Sequence, residues 1–262
     1  MKLKNKITAI TLCSAFALSG LAGCTVFSSN SETTATETTT AAAQTTAATE
    51  STSSSASAVS SHEWLEASKM EVAENAANEL NEGNAQYLAG TASMNVSSAL
   101  RNELTNGQKP HTVVITCSDS RVPPELIFNA DLGELFTIRT AGNVVGEYEV
   151  GSVEYAVDHL GSQLVVVMGH SSCGAVGAAV EGHAEGNIES IVHEITPSVE
   201  EAKKSETDEK AIASKAEDLN VENTLAKLRE SSIIKELEDS GKIKLVGAKY
   251  DIETGEVSYL GE

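Results

Sequence analysis

The sequence predicts an α/β domain with a mostly parallel central β-sheet, four strands plus an antiparallel edge strand, flanked by helices. Three observations predict it. Short apolar runs rich in β-branched residues recur at His111–Thr116, Glu134–Arg139, Leu164–Met168 and Ile243–Tyr250, and most are continuous rather than alternating, as strands buried on both faces are. Segments with helical period lie between them. A turn at Asp251–Gly255 then leads into Val257–Leu260, which reads as the edge strand.

The start of the chain belongs to something else. Lys2, Lys4 and Lys6 precede an apolar stretch from Ile7 to Leu18, and Leu21-Ala22-Gly23-Cys24 follows. A positive start, a short apolar core and small residues before a break describe an export signal over residues 1–23, too short to span a membrane stably. The Leu-Ala-Gly-Cys ending resembles the bacterial lipobox, which implies cleavage before Cys24 and lipid on its thiol. Such a protein is exported and held on the outer face of the bacterial cell membrane. Residues 24–61 are rich in Ser, Thr, Ala and Glu and, past Cys24, contain no Lys or Arg. A segment this poor in apolar residues cannot offset its ordering entropy, so it reads as a tether. Residues 62–262 are left as one domain of ordinary size.

Within that domain the elements follow in order. A helix begins near Trp64, with Leu65, Met70, Ala73, Ala76, Ala77 and Leu80 roughly on one face; Gly83 is expected to interrupt it. Trp64 reads as a packing anchor. A second helix covers Val96 to Leu104 and ends at Asn106-Gly107. After the first strand, Pro123-Pro124-Glu125 opens a short helix. The second strand ends in Arg139-Thr140-Ala141-Gly142-Asn143, a glycine-bearing loop. Glu149–His159 reads as helix. Cys173–Val180 is small and apolar, so this helix is expected to approach the sheet closely. Asn187–Lys204 and Asn220–Leu237 read as helices, with an acidic solvated stretch around Glu206–Lys210 between them.

Composition narrows the function. Lys and Arg total 18 against 38 Asp and Glu, a formal charge of −20, and no basic patch is present. Nucleic acid is therefore excluded as a partner. Of four cysteines, Cys13 lies in the export signal and Cys24 in the lipobox, leaving Cys117 and Cys173. In an exported protein a remaining pair reads by default as a disulfide. Their company points elsewhere. Cys117-Ser118-Asp119-Ser120-Arg121 follows the first strand directly, and His170-Ser171-Ser172-Cys173-Gly174 follows the third. If those strands lie parallel in one sheet, both loops leave from the carboxyl edge, where open α/β sheets place their sites.

Two Cys and one His form a zinc set with one position open, the catalytic pattern. Asp119 could accept a hydrogen from the nucleophile, held there by Arg121 in a two-pronged pair. It could equally coordinate zinc and close the site; the spacing allows both. Gly169 and Gly174 have P-loop spacing, but Ala175 stands where the phosphate-binding Lys would be. Gly169-x-Ser171 suggests a hydrolase elbow, but Cys173 stands where its next Gly would be.

Cys-x-Asp-x-Arg followed by His-x-x-Cys closely resembles the β-class carbonic anhydrases. The resemblance runs from about Gln108 to Val180 and more loosely from Trp64 to Leu260. It includes Ser118, Ser120, Val122, Pro123, the Arg139–Asn143 stretch and Gly174-Ala175. It implies the fold of that family and one zinc ion per chain on Cys117, His170 and Cys173. It also implies Asp119 and Arg121 as the pair that activates the nucleophile. Gln108 would help bind bicarbonate, and Gly174 would line the substrate side. The implied reaction is reversible hydration of CO2 to bicarbonate and a proton by a zinc-bound hydroxide. Val114 replaces the Trp needed for a regulatory bicarbonate site in one subgroup, so that regulation is not expected. A homodimer or higher oligomer is implied, with the Trp64–Leu80 helix across the partner. His62, His111, His159, His183 and His193 are candidates for passing the proton to buffer.

Two rival readings stand beside this one. The same fold and zinc would also suit hydrolysis of a CO2 analogue such as carbon disulfide or carbonyl sulfide. A metal-free surface binding module stapled by Cys117–Cys173 is the other.

Overall fold

A computed structural model describes residues 61–261, with side chains from residue 72 onward. The predicted export signal 1–23, Cys24 and all of the tether but Ser61 lie outside the described residues, as do the side chains of His62 and Trp64. Among the described residues, no helix is long and apolar enough to cross a membrane.

The first helix, α1 (Ser61–Leu88), buries Ala73, Ala76 and Leu80 and runs unbroken through Gly83. The expected interruption is absent for a steric reason. A Cβ at Gly83 would lie 1.8 Å from the Phe128 carbonyl oxygen, so this glycine admits a neighbouring backbone rather than ending a helix. Next comes α2 (Ser98–Glu103), where the Ser97 hydroxyl accepts the Leu100 N–H at 3.2 Å, followed by a 3-10 turn at Leu104–Asn106.

The sheet then begins with β1 (Thr112–Cys117), followed by α3 (Pro124–Ile127), β2 (Leu135–Thr140) and a 3-10 turn at Ala141–Asn143. The next helix, α4 (Glu147–Glu154), loosens into a π-turn at Tyr155–Leu160 and ends at Gly161, whose φ of 80° suits the left-handed cap. After β3 (Leu164–His170) come α5 (Gly174–Glu181), α6 (Ile188–Ala202), α7 (Glu209–Leu228) and α8 (Ser232–Asp239), then β4 (Lys244–Tyr250) and β5 (Val257–Leu260). Both site strands run further than predicted, so Cys117 and His170 are the last residues of β1 and β3 rather than loop residues.

Two helical expectations are corrected. The predicted Asn220–Leu237 helix is two helices, and the first starts at Glu209, where Asp208 accepts the Lys210 and Ala211 N–H groups at 3.1 Å. Its inward face carries buried Glu217, Asn220 and Thr224, which break the apolar period and disguise it. The second correction concerns α5, which packs mainly on α6 and α7 rather than on the sheet. The helix that does come close is α7: Cβ atoms at Gly169 and Gly247 would lie 2.8 and 2.9 Å from the Val221 methyls.

The sheet order is β2-β1-β3-β4-β5, parallel except for β5. One face packs Val113, Ile115, Val165, Val167 and Leu245 against α4, α7 and α8. The other packs Val114, Val166 and Met168 under α1 and α3. The chain leaves β1 toward β2 on one side and returns to β3 on the other. The crevice at the carboxyl ends of β1 and β3 is therefore the topological switch point.

Candidate metal centre

Both strand ends deliver a ligand to that crevice. Parallel pairing sets Thr116 beside Met168, so Cys117 and His170 close neighbouring strands at the same edge. The chain after His170 turns through Ser171 and Ser172, the latter at φ 57°, and brings back Cys173 at the first turn of α5. Ser171 anchors this turn: its N–H donates to the Tyr250 carbonyl and its hydroxyl accepts the Ile252 N–H, each at 2.9 Å. The ligand atoms of Cys117, His170 and Cys173 lie within 4.8 Å of one another, and all three residues are buried. Among the described residues no other group of three or more His, Cys, Asp or Glu is placed to hold a metal ion.

The donor chemistry fits a cation. The His170 Nδ1–H donates to the Ser171 carbonyl at 2.9 Å, which leaves the Nε2 lone pair free. Nε2 is buried with no hydrogen-bond partner, an unusual cost unless something else occupies that lone pair. Both thiols are free. The hydrogen bond from Cys173, with lesser help from the Gly142 and Asp119 N–H groups, pulls the Cys117 thiol down to about 4 against the burial that would raise it. Contact with Cys117 and burial push the Cys173 thiol up. The pair thus favours one thiolate and one proton when alone, and a divalent cation in place of that proton would hold both as thiolates. The Gly142 N–H donates to the Cys117 sulfur at 3.2 Å.

Beside the ligands, Asp119 and Arg121 form the two-pronged pair that their spacing permits. Arg121 Nη2 donates to Asp119 Oδ2 at 2.7 Å and Nε to Oδ1 at 3.0 Å, while the Arg121 backbone N–H also reaches Oδ1 at 2.9 Å. These bonds hold the Asp119 carboxyl well below the usual carboxylate range. Asp119 lies outside the ligand group, so this structure has the carboxylate on the guanidinium and not closing the metal position. Arg139 fixes the loop from behind, donating to the Cys117 carbonyl at 3.0 Å and the Asp119 carbonyl at 2.5 Å. The sequence singled out Arg139 only as part of a resemblance, without this role.

The other candidate residues are placed as follows. Gly174 is the first residue of α5, exposed next to Cys173, with open space where a Cβ would sit. Gln108 is not brought to this site. It is exposed before β1, at the opposite end of the strand from Cys117, and six residues of strand separate the ends by roughly 15–20 Å. An offset of nine residues cannot reveal that, because a strand is extended. His111 is also at that far end, bonded to Thr112 at 2.8 Å and 3.5 Å from Glu79, with the length of β1 between it and Cys117. His159 lies in the π-turn that precedes β3, again at the far edge. His183 and His193 are exposed on or after the helices that follow Cys173. Nothing in the residue pattern pointed to Glu217, Asn220 and Lys249, which the structure places behind the ligands.

A switch-point α/β sheet that presents a buried Cys-His-Cys set next to an Asp–Arg pair defines a metal-site protein of a particular kind. The chain belongs to the carbonic anhydrase family: the sequence model described as carbonic anhydrase matches residues 112–257. A carbonic anhydrase of Mycolicibacterium smegmatis is 38% identical over 197 residues, covering 70% of this chain and 92% of that protein. The crystal structure of the β-carbonic anhydrase CafA of Aspergillus fumigatus superposes with a TM-score of 0.59 at 28% identity, over 62% of this chain and 81% of that one. One of two tetrameric β-carbonic anhydrases of Sordaria macrospora gives 0.57 at 30% identity, over 62% and 86%. The chain is of the β class, whose members use zinc, and the Cys117–His170–Cys173 cluster has the donors to hold one ion. The disulfide-stapled module is not kept, since both thiols are free.

Proposed function

We propose that this protein catalyses the reversible hydration of CO2 to bicarbonate and a proton. The observation that carries the reading is the buried Cys117–His170–Cys173 set beside the Asp119–Arg121 pair, in a chain of this family. Zinc held there would act as a Lewis acid that brings the pKa of water toward neutrality.

The chain's own groups then do the orienting. Asp119, kept ionised by Arg121, accepts a hydrogen of the attacking water and aims the remaining lone pair at the CO2 carbon. Each carboxylate oxygen has two acceptor sites, so gripping Arg121 leaves capacity for that hydrogen. Arg139 holds the Cys117 and Asp119 carbonyls, which keeps ligand and orienting group on one rigid loop. Gly174, without a side chain, leaves the approach to Cys173 open for substrate.

Gln108 would meet bicarbonate only at the site of a second copy, which agrees with a dimer or higher assembly. The tetrameric Sordaria enzymes support an oligomer by analogy. The export signal and Cys24 support a lipid-anchored protein outside the cell membrane. Stopped-flow CO2 hydration with a pH indicator tests the activity. Turnover of CO2 supports the reading; hydrolysis of carbon disulfide or carbonyl sulfide without CO2 hydration overturns it.

A further inference from the structure

Behind the ligands, α7 presents a buried polar stripe that a solvent-facing helix would not need. Glu217, Asn220 and Thr224 are 5, 2 and 5% exposed and recur at three- and four-residue steps, so they share one face. Each bonds to the backbone of a site loop or its neighbour. Glu217 Oε1 accepts the Cys173 N–H at 3.1 Å. The Asn220 side-chain amide donates to the Gly142 carbonyl at 2.7 Å, and the N–H of that same Gly142 donates to the Cys117 sulfur. Thr224 donates to the Asn143 carbonyl at 3.2 Å.

The carboxylate of Glu217 is not left as a lone buried charge. Lys249, on β4, lies 3.0 Å from Glu217 Oε2 and 2.8 Å from Asp218 Oδ1, and donates to the Ser214 carbonyl at 3.0 Å. The close seat of α7 follows from Gly169 and Gly247, where any side chain would collide with Val221. Strand glycines thus let the helix descend far enough for its polar face to reach both loops.

We infer that Glu217 and Asn220 are positioning residues of the metal centre, Glu217 fixing Cys173 through its backbone amide and Asn220 fixing the Gly142 peptide that donates to the Cys117 sulfur. The inference rests on zinc occupying the Cys117–His170–Cys173 set. It is more than helix packing because both bonds end on a ligand residue or on the peptide that touches a ligand sulfur. Apolar residues of similar size would pack α7 equally well.

The test compares two double variants of the full chain. E217Q/K249M removes both charges of the pair and keeps an acceptor for the Cys173 N–H. E217L/K249M removes the charges and the acceptor. Zinc affinity is read by competition with a chromophoric chelator, and ligand geometry by the thiolate-to-metal absorption of the cobalt-substituted protein. The Leu variant is expected to bind zinc roughly 10–100-fold more weakly than the Gln variant and to shift the cobalt band, with the Gln variant close to the unaltered protein. Equal affinities and identical bands in the two would overturn the Glu217 assignment. N220L, which deletes the bond to Gly142 without touching charge, is expected to move the same band, and an unmoved band removes Asn220. It also carries the test should the Leu double variant fail to fold. Unaltered protein that takes up no zinc would refute the metal reading itself, a different result from zinc held equally by both double variants.

Discussion

Arg121 grips Asp119 with a fork: Nε on Oδ1 at 3.0 Å and Nη2 on Oδ2 at 2.7 Å. The pair is local, two residues apart, yet its direction is set by tertiary contacts, since Arg139 pins the carbonyls of Cys117 and Asp119 from the far side of the loop. The arginine is half-exposed, so its value lies in orientation more than in stability.

Asp119→Ala is expected to lower CO2 hydration by about 10²–10⁴-fold while zinc content stays at one per chain. Arg121→Lys is expected to fall in the same direction, because an ammonium cannot make the fork. Stopped-flow rates with metal analysis on the same samples check both. Unchanged turnover in Asp119→Ala would remove the orienting role.

Metal binding should be visible without any assay of activity. His170→Ala leaves two thiols and no ring nitrogen, and is expected to lose stoichiometric zinc. In the unaltered chain, zinc at 100-fold over its dissociation constant should add about 2.7 kcal/mol to unfolding stability, and chelation should remove it. Thermal unfolding with and without chelator measures this. A melting temperature indifferent to zinc contradicts the site.

Two glycines in helices should respond in opposite ways. Gly83→Ala drives a methyl to within 1.8 Å of the Phe128 carbonyl oxygen, a backbone atom with little room to yield, and should cost about 1–3 kcal/mol or more. Gly151→Ala, inside α4 with nothing within 4 Å of the new methyl, should gain about 0.5–1 kcal/mol. Denaturant midpoints decide both.

The Glu217–Lys249 pair should show itself on the alkaline side. Burial pushes the Lys249 ammonium down, but its bonds to Asp218 and Glu217 outweigh that and hold it above its ordinary value of 10.5. A raised folded value means the stabilisation is full below the ordinary value and is lost as pH rises through the folded one. E217Q/K249M should therefore lack part of the stability loss seen above about pH 10.5 in the unaltered protein. Lys249→Met alone strands a buried carboxylate and should cost on the order of 3–5 kcal/mol at neutral pH. Chemical denaturation across pH 7–11 tests the sign.

Cys24→Ala is expected to release the protein from the membrane fraction of the producing bacterium, since the thiol is the proposed lipid acceptor. Fractionation and blotting check it. Unchanged membrane association would exclude that anchor.

Much of the site could be read from the chain because it is local. Cys117, Asp119 and Arg121 span five residues, and His170 and Cys173 span four, each set hung on a β-branched run that declares its strand. What lay beyond those loops was not legible. The start of α7 at Glu209 fell inside an expected acidic solvated stretch around Glu206–Lys210, and the inward roles of Glu217 and Asn220 were hidden, since buried Glu217 and Asn220 are indistinguishable from surface residues until their partners Lys249 and Gly142 are in place. Gly83 looked like a helix breaker for the same reason: its neighbour is Phe128, 45 positions away.

By itself the sequence determined that two strand ends would carry a zinc-type ligand set with an Asp–Arg partner, because strand propensity and short-range spacing are properties of neighbouring residues. Tertiary structure alone decided that β1 and β3 lie side by side, that Asp119 turns to Arg121 and away from the ligands, that Gln108 sits at the wrong end for its own site, and that α7 backs both loops. Those outcomes depend on which distant surfaces meet, and burial of a charge or an amide becomes favourable only when the partner that satisfies it arrives from elsewhere in the chain.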